Sequence, residues 1–104
     1  MPFTHTDYQD KVAYSDEKAN KIAMGEGANS RTTLWCLMPG QGIKPHVHAG
    51  DHIWVLLEGD GNYLTEDSAV PVNPGKVLII PAGLSHGVEN TGAEGMVFVS
   101  ISTQ

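Results

Sequence analysis

The sequence predicts an all-β domain, an antiparallel sandwich or barrel, and three observations support this prediction. From Arg31 onward, short runs of β-prone residues alternate with turns rich in Gly, Pro and Asn. The spacing between these runs, roughly ten residues, is typical of antiparallel sandwiches and barrels. No part of the chain sustains the 3.6-residue periodicity of a long helix.

Eight strands are predicted, one before Arg31 and seven from these runs. A Pro-Gly pair ends the second predicted strand, and the glycine-rich segment from Glu58 to Asn62 predicts a hairpin turn after the third. The predicted strands, in order, are Lys21–Met24, Thr32–Met38, His52–Leu57, Tyr63–Thr65, Val70–Val72, Lys76–Ile80, Gly87–Asn90 and Met96–Ser102.

The start of the chain has a different composition from the rest. Charged residues crowd into it and apolar residues are sparse. Ser15, followed by Asp16 and Glu17, is a pattern that caps one helical turn. We therefore predict an N-terminal arm over residues 1–20, with at most a short helix, and a barrel domain over residues 21–104.

The length and the net charge of the chain limit the classes of protein to which it can belong. A chain of 104 residues makes one domain. Six basic and twelve acidic residues give a net charge of −6, which argues against nucleic acid and anionic membrane surfaces as partners. The sequence has no apolar run long enough to span a bilayer and no signal-peptide pattern at its start. The single cysteine, Cys36, fits a reducing compartment, so we expect a cytoplasmic protein with this thiol buried and inert.

Four of the five histidines form two clusters that predict a metal site. His46 and His48 alternate, so on a strand both rings project from one face. His52 follows four residues later, and a hairpin or bulge between brings its ring to the same place. His86 follows a tight turn after a predicted strand. Imidazole binds Fe, Mn, Cu, Ni and Zn, so these rings predict a site for one divalent transition-metal ion, whereas His5 is expected at the surface.

Two motifs, one around each cluster, give the chain a resemblance to a known family. From Gly40 to Gly59, the intervals are Gly, five residues, His-x-His, three residues, His52, six residues, Gly. From Gly75 to Asn90, they are Gly, five residues, Pro-x-Gly, two residues, His, three residues, Asn. Both sets of intervals resemble the motifs of the cupin superfamily. The resemblance implies a cupin-type jelly-roll β-barrel of antiparallel strands, often dimeric, with the metal inside the barrel.

The sequence departs from the family pattern at His52, where cupins usually have a glutamate. The pattern resembles that of four-histidine cupins, which implies His46, His48, His52 and His86 as the metal ligands. Asp51 cannot replace the glutamate, because on a strand it points to the opposite face from its neighbour. We expect Asp51 to be solvated or to hydrogen-bond a ligand imidazole.

Four neutral imidazoles change the chemistry of the site relative to a set that includes a carboxylate. They leave a divalent ion with about two units of positive charge, instead of about one, and this favours anionic ligands. A six-coordinate ion would keep two open positions for substrate. A tetrahedral zinc ion would be saturated.

The pocket around the metal is predicted from strand alternation. Trp54 and Leu56 share the inward face of their strand with His52, and Ile53, Val55 and Leu57 face outward. Other predicted strands supply further candidates, and the alternative for each is an ordinary core position. The residues predicted to line the pocket are Trp54, Met38, Tyr63 and Phe98.

Three functions are consistent with such a site. The leading hypothesis is a dioxygenase-type oxidoreductase that acts on a small anionic or enolisable compound. The first alternative is a non-redox isomerase, lyase or cyclase, for which Tyr63 and Glu58 are the candidate acid–base residues. The second is a non-catalytic cupin that binds a small ligand. We also expect a homodimer, in which the arm can add a strand to a neighbour's sheet.

Overall fold

The computed structural model describes residues 3–103, which form nine β-strands and one 3₁₀ helix at Tyr8–Asp10. The first two residues of the predicted arm, and Gln104 at the end of the predicted barrel domain, lie outside the described residues. The strands are β1 (Asn20–Glu26), β2 (Ser30–Leu37), β3 (Gly42–His46), β4 (His52–Glu58), β5 (Gly61–Leu64), β6 (Ala69–Val72), β7 (Val77–Ile80), β8 (His86–Asn90) and β9 (Met96–Thr103).

The strands form two antiparallel sheets that face each other. One sheet has the order β1-β2-β9-β4-β7, and the other has the order β3-β8-β5-β6. After β2 the chain passes repeatedly from one sheet to the other, as in a jelly roll. The all-β antiparallel prediction is therefore confirmed. Over residues 3–103, the ladders form two sheets instead of one closed ring.

Each of the predicted strands overlaps an observed strand, and the predicted hairpin turn joins β4 to β5. At this turn Gly59 has φ +79°, a left-handed conformation that favours glycine over residues with a side chain. The turn also packs closely against the start of β9, since a Cβ at Gly59 would clash with the backbone of Gly95 and Met96. The third strand, β3, is not among the eight strands predicted from the sequence. It ends at His46, so His48 lies beyond it.

The main core lies between the two sheets. Along β4, Trp54 and Leu56 are buried, while Ile53, Val55 and Leu57 are half-buried on the other face, as the alternation predicted. Asn90 closes the far end of β8, since its side-chain amide donates to the Leu37 and Glu94 carbonyls. The residues that form this core are Leu37, Trp54, Leu56, Tyr63, Val72, Ile80, Val88, Met96 and Phe98.

The arm lies against the outer face of the larger sheet. Tyr8 and Val12 pack there on a second buried cluster, Leu34, Cys36 and Val97. Burial raises the pKa of the Cys36 thiol and so disfavours the reactive thiolate. The prediction that this thiol is buried is confirmed.

The helical turn of the arm lies earlier in the chain than predicted. The Asp7 carboxylate accepts a hydrogen bond from the Gln9 N–H at 3.0 Å and caps the 3₁₀ helix. At the predicted position, the Ser15 hydroxyl accepts from the Glu17 N–H at 3.3 Å, but the chain only bends there. None of the helices among residues 3–103 has the length and apolarity needed to cross a membrane.

Candidate metal centre

The pairing of β3 with β8 places His46 directly opposite His86. The ladder is irregular between Ile43 and His46, and Pro45 lies in this irregular segment, where its missing N–H costs no ladder hydrogen bond. The two ring centroids are 4.9 Å apart. Two imidazoles from different strands thus meet at one end of the smaller sheet.

His48 reaches the same place from a loop. The prediction that it continues the strand of His46 is wrong, because β3 ends at His46 and the chain turns away before β4. The His48 carbonyl accepts a hydrogen bond from the Gly83 N–H at 3.0 Å, which ties this loop to the turn before His86. The His48 ring centroid lies 4.4 Å from that of His46 and 5.3 Å from that of His86.

His46, His48 and His86 present ligand atoms that all lie within 4.8 Å of one another. Nδ1 of His46 lies 2.9 Å from the Lys44 carbonyl oxygen, and Nδ1 of His86 lies 3.0 Å from the Leu84 carbonyl oxygen. Because a carbonyl only accepts, each Nδ1 carries the proton and each Nε2 keeps its lone pair. A ring whose Nδ1–H donates to a backbone carbonyl is the usual form of a metal-binding histidine.

His52 begins β4 beside these three residues. Its ring centroid lies 4.4 Å from that of His48 and 5.0 Å from that of His86. Its nitrogens, however, do not belong to the convergent group found among the described residues. The structure therefore brings three of the predicted ligand nitrogens together and leaves the fourth ring adjacent.

Two buried side-chain nitrogens in the described residues have no hydrogen-bond partner: Nδ1 of His52 and Nε1 of Trp54. A buried polar group without a partner is costly, by about 1–3 kcal/mol. Both atoms belong to residues that line one cavity. A donor set of neutral imidazoles, with an unsatisfied ring nitrogen beside it, fits a divalent transition-metal ion and its remaining ligands.

Burial favours the neutral, metal-binding form of His48, His52 and His86. It lowers the pKa of His52 to about 4, with smaller contributions from the neighbouring His48, His86 and His46, while Asp51 opposes the shift. Burial is also the main cause of the lowered pKa values of His48 and His86. Neutral rings at pH 7 bind a metal without first losing a proton.

The lowered pKa of His52 predicts how the metal-free protein responds to acid. Between pH 6.5 and about pH 4, the unfolded chain binds a proton at this position that the folded chain does not. The free energy of unfolding should therefore fall as the pH falls through this window, and this histidine should contribute no slope above it. We expect the Tm of chelator-treated protein to decrease from pH 7 to pH 5, and to decrease less in His52→Leu. His5→Gln, in the exposed arm, should retain the full slope; equal slopes in all three proteins would contradict the prediction.

Asp51 holds the backbone around the histidines instead of contacting a ring. Its Oδ1 accepts a hydrogen bond from the Ala82 N–H at 2.8 Å, and its N–H donates to the Thr103 hydroxyl at 3.1 Å. The alternative expectation, a hydrogen bond to a ligand imidazole, is not seen. Asp51 instead links the loop of His48 to the turn before His86, and it links both to β9.

The four histidines lie in a cavity of about 470 Å³. Trp54 lines it as predicted, and the other wall residues come mainly from the inner face of the larger sheet. The lining residues are Lys21, Arg31, Thr33, Trp35, Ile43, His46, His48, Ala49, Gly50, His52, Trp54, His86, Ser100, Ser102 and Thr103.

The other residues predicted to line the pocket are placed elsewhere. The rings of Tyr63 and Phe98 pack against Trp54, with centroids at 5.8 and 4.7 Å, and both belong to the core behind it. Met38 follows β2 and its N–H donates to the Gln41 side chain. None of these three is among the residues that line the cavity.

The two candidate acid–base residues also lie away from the histidines. The Glu58 carboxylate accepts a hydrogen bond from the Tyr8 hydroxyl at 2.8 Å, beneath the arm. Tyr63 is buried in the core, and burial raises the pKa of its phenol. Neither side chain lines the cavity.

Sequence reasoning missed the polar wall of the cavity. Arg31, Thr33 and Trp35 alternate along β2 and all line it, as do Ser100 and Ser102 along β9. The alternation of Arg31-x-Thr33-x-Trp35 was the available signal, since residues two apart on a strand share a face. This alternation alone does not show which face of β2 meets the histidines, because the neighbours of β2 are set by the order of strands in the sheet.

Comparisons with known proteins place the chain in a family. A family model described as "Cupin domain" matches residues 33–102. The chain is 33% identical to an oxalate-binding protein of Thermotoga maritima over 73% of its own length and 66% of the relative's. It is 30% identical to a gentisate 1,2-dioxygenase of a Ralstonia species, over 62% of this chain and only 19% of that enzyme.

The fold is shared with solved structures. A conserved protein with a double-stranded β-helix domain from Klebsiella pneumoniae superposes with a TM-score of 0.91 at 26% identity. The superposition covers 98% of this chain and 90% of that one. The two-sheet architecture is thus found in this relative over almost its whole length.

Proposed function

This chain belongs to the cupin family, and we propose that it is a metal-dependent oxidoreductase of the dioxygenase type. Its substrate in this proposal is a small anionic or enolisable organic compound. One observation carries the proposal: the ligand nitrogens of three imidazoles, those of His46, His48 and His86, converge in an open cavity that is also lined by two tryptophans. The resemblance of part of the chain to a gentisate 1,2-dioxygenase supports it.

The proposed ligands are His46, His48 and His86, with His52, whose ring lies beside them, as the fourth. Neutral imidazoles leave the full charge of a divalent ion in place, which favours an anionic substrate. Iron, manganese, copper, nickel and zinc all accept imidazole ligands. A redox-active member of this group supplies the electron-transfer chemistry that the proposal requires, together with Lewis acidity.

The chain's own residues provide binding and shielding. Trp35 and Trp54 line the cavity and offer flat apolar faces to a substrate. Thr33 and Ser100 pair across β2 and β9 in the same wall. Both are buried, so they can hydrogen-bond a polar substituent. His46 and His48 are exposed whereas His52 and His86 are buried, so substrate enters on the His46 side.

Oxygen consumption tests the proposal. Protein reconstituted with Fe(II), Mn(II) or Cu(II) would be assayed with and without dioxygen against β-diketones and phenolic acids. We expect oxygen uptake that depends on both metal and substrate and disappears in His86→Ala. No uptake with any combination of metal and substrate would contradict the proposal.

A second candidate function is the binding of a small anion without turnover. The resemblance to an oxalate-binding protein, which extends over 73% of the chain, favours it. Calorimetric binding of oxalate to the metal-loaded protein, with the ligand recovered unchanged, would support this function over catalysis. Activity that persists with zinc and without oxygen would instead indicate a non-redox isomerase, lyase or cyclase.

We also propose that the protein is a cytoplasmic homodimer. The edge strand β7 exposes Val77 and Ile79, which are 59% and 66% accessible, next to half-buried Ile53 and Val55 on β4. A second copy would cover this apolar face and the open edge of the sheet.

The dimer predicts a specific effect of charge on β7. Ile79→Lys should place a charge in the interface and raise the dimer dissociation constant at least about tenfold. Sedimentation velocity would measure this, with Val70→Lys on β6 of the other sheet as the matched control. An unchanged association state in Ile79→Lys would rule out this interface.

A further inference from the structure

The segment that joins β3 to β4, residues 47–51, has no regular secondary structure. His48 lies within this loop and His52 follows it directly, so the path of the loop decides where both imidazoles lie. A loop without helix or strand hydrogen bonds keeps one path only if side chains or distant backbone groups bind its polar atoms. Two attachments of this kind hold residues 47–51.

The first attachment joins the loop to the turn before His86. Oδ1 of Asp51 accepts a hydrogen bond from the Ala82 N–H at 2.8 Å, and the His48 carbonyl accepts one from the Gly83 N–H at 3.0 Å. A hydrogen bond that a carboxylate accepts is stronger than one between neutral groups. These two bonds hold the loop of His48 against the turn that presents His86.

The second attachment joins the loop to the end of β9. The Asp51 N–H donates to the Thr103 hydroxyl at 3.1 Å, and the Thr103 N–H donates to the Asp51 carbonyl at 3.0 Å. Gly50 packs directly on the same residue, because an added Cβ there would clash with the Thr103 carbonyl oxygen. Thr103 also lines the cavity that contains the histidines. Asp51 is thus the point at which the loop, the turn and β9 meet.

We infer that Asp51 and Thr103 are positioning residues of the metal site, which fix the loop so that the His48 nitrogen meets those of His46 and His86. The ligand nitrogens of these three histidines lie within 4.8 Å of one another, and Asp51 is not part of that group. Asp51 therefore acts through the backbone of the loop and not as a ligand. Because the nitrogens are taken to bind a metal, this role rests on the proposed function.

Two pairs of variants separate the hydrogen bonds from the rest of each side chain. Asp51→Ala removes the acceptor for the Ala82 N–H, whereas Asp51→Asn keeps a side-chain oxygen that can accept it. Thr103→Val removes the hydroxyl, whereas Thr103→Ser keeps it. Val72→Ala is the control for stability alone, since it truncates a buried core residue that does not line the cavity.

Three measurements would be made on each protein. Competition with a chromophoric chelator gives the dissociation constant for Zn(II), and the visible spectrum of the Co(II)-loaded protein reports the geometry of the ligands. Hydrogen exchange at the Ala82, Gly83 and Thr103 amides of chelator-treated protein measures the two attachments without any metal. Thermal unfolding of the same chelator-treated samples gives the Tm.

We expect Asp51→Ala to weaken Zn(II) binding about 10- to 100-fold, as for the loss of a group that orients metal ligands, and to change the Co(II) spectrum. Thr103→Val loses one neutral hydrogen bond and should weaken binding about three- to tenfold. Asp51→Asn and Thr103→Ser should restore the affinity and the spectrum of the unmodified protein. Val72→Ala should lower the Tm and leave both unchanged. In Asp51→Ala, the Ala82 amide should exchange faster, because it has lost its acceptor.

Unchanged Zn(II) affinity in both Asp51→Ala and Thr103→Val overturns the inference. An equal loss of affinity in Val72→Ala, at an equal decrease in Tm, also overturns it, because the loop would then act only through overall stability. If the unmodified protein binds no metal, the positioning role fails together with the proposed function, and the exchange rates show whether the attachments hold the loop. A protein that binds metal through this loop but consumes no oxygen contradicts the proposed function alone.

Discussion

Replacing His86 with alanine is expected to abolish stoichiometric metal binding. Its ring centroid lies 4.9 Å from that of His46 and 5.3 Å from that of His48, and it is the most buried of the three, at 2% exposure. Loss of an outer partner of a metal ligand alone lowers affinity about 10- to 100-fold, so loss of the ligand itself should exceed about 100-fold. Competition with a chromophoric chelator would measure the dissociation constant for Zn(II).

The matched control is His5→Ala, which removes an exposed imidazole from the arm. It should bind metal as the unmodified protein does. The circular dichroism spectrum would establish that His86→Ala keeps its β-structure. A folded His86→Ala variant with unchanged metal affinity would show that the cluster is not the metal site.

Replacing Gly87 with alanine is expected to damage both stability and the metal site. A Cβ at this position would lie 2.5 Å from the Ile43 carbonyl oxygen and 2.7 Å from the Pro45 nitrogen. Both are backbone atoms, so β3 must move away from β8, and this motion separates His46 from His86. Overpacking of this kind costs about 1–3 kcal/mol, which corresponds to a decrease in Tm of about 5–20 °C in a domain of this size.

Gly27→Ala provides the control, because its added Cβ would meet only the Ser30 hydroxyl at 3.4 Å, an ordinary contact. Thermal unfolding with and without Zn(II) would separate the two effects of Gly87→Ala. We expect a lower Tm in both conditions and a smaller rise on adding metal, since the stabilisation by a bound metal increases with the logarithm of its affinity for the folded state. A normal metal-dependent rise would mean that the distance between β3 and β8 does not control the site.

The strands were predictable from the sequence because their signals are local. The alternation of His52, Trp54 and Leu56 with outward residues needs only the two-residue period of a strand. The turn at Gly59 needs only a residue that tolerates positive φ. Such features depend on neighbours in the chain, which the sequence displays directly.

The path of the chain around His48 was not predictable in the same way. The His46-x-His48 spacing fits a strand, but β3 ends at His46. The loop that follows is set by contacts with distant segments, the Gly83 N–H on the His48 carbonyl and the Ala82 N–H on the Asp51 carboxylate. Those partners lie more than thirty residues away, and only the folded structure brings them together.

Two basic residues that line the cavity, Lys21 and Arg31, were not predicted, for a related reason. Lys21 and Arg31 are ten residues apart, and each looks like an ordinary exposed residue in sequence. They share a wall with the histidines only through the order β1-β2-β9-β4 of the larger sheet. An irregularity in the β1–β2 ladder between Ala23 and Gly25 shifts that register further, and bulges of this kind have no reliable sequence signal.

The most direct test of the central claim is the metal content of the protein as purified, without chelators or nickel columns, by inductively coupled plasma mass spectrometry. We predict close to one equivalent of iron, manganese or copper per chain, lost in His86→Ala and reduced in His52→Ala. Zinc alone would retain the site but contradict the redox function. A protein that contains no metal, and that binds none when iron, manganese, copper, nickel or zinc is added, would contradict the claim that the histidine cluster is a metal site.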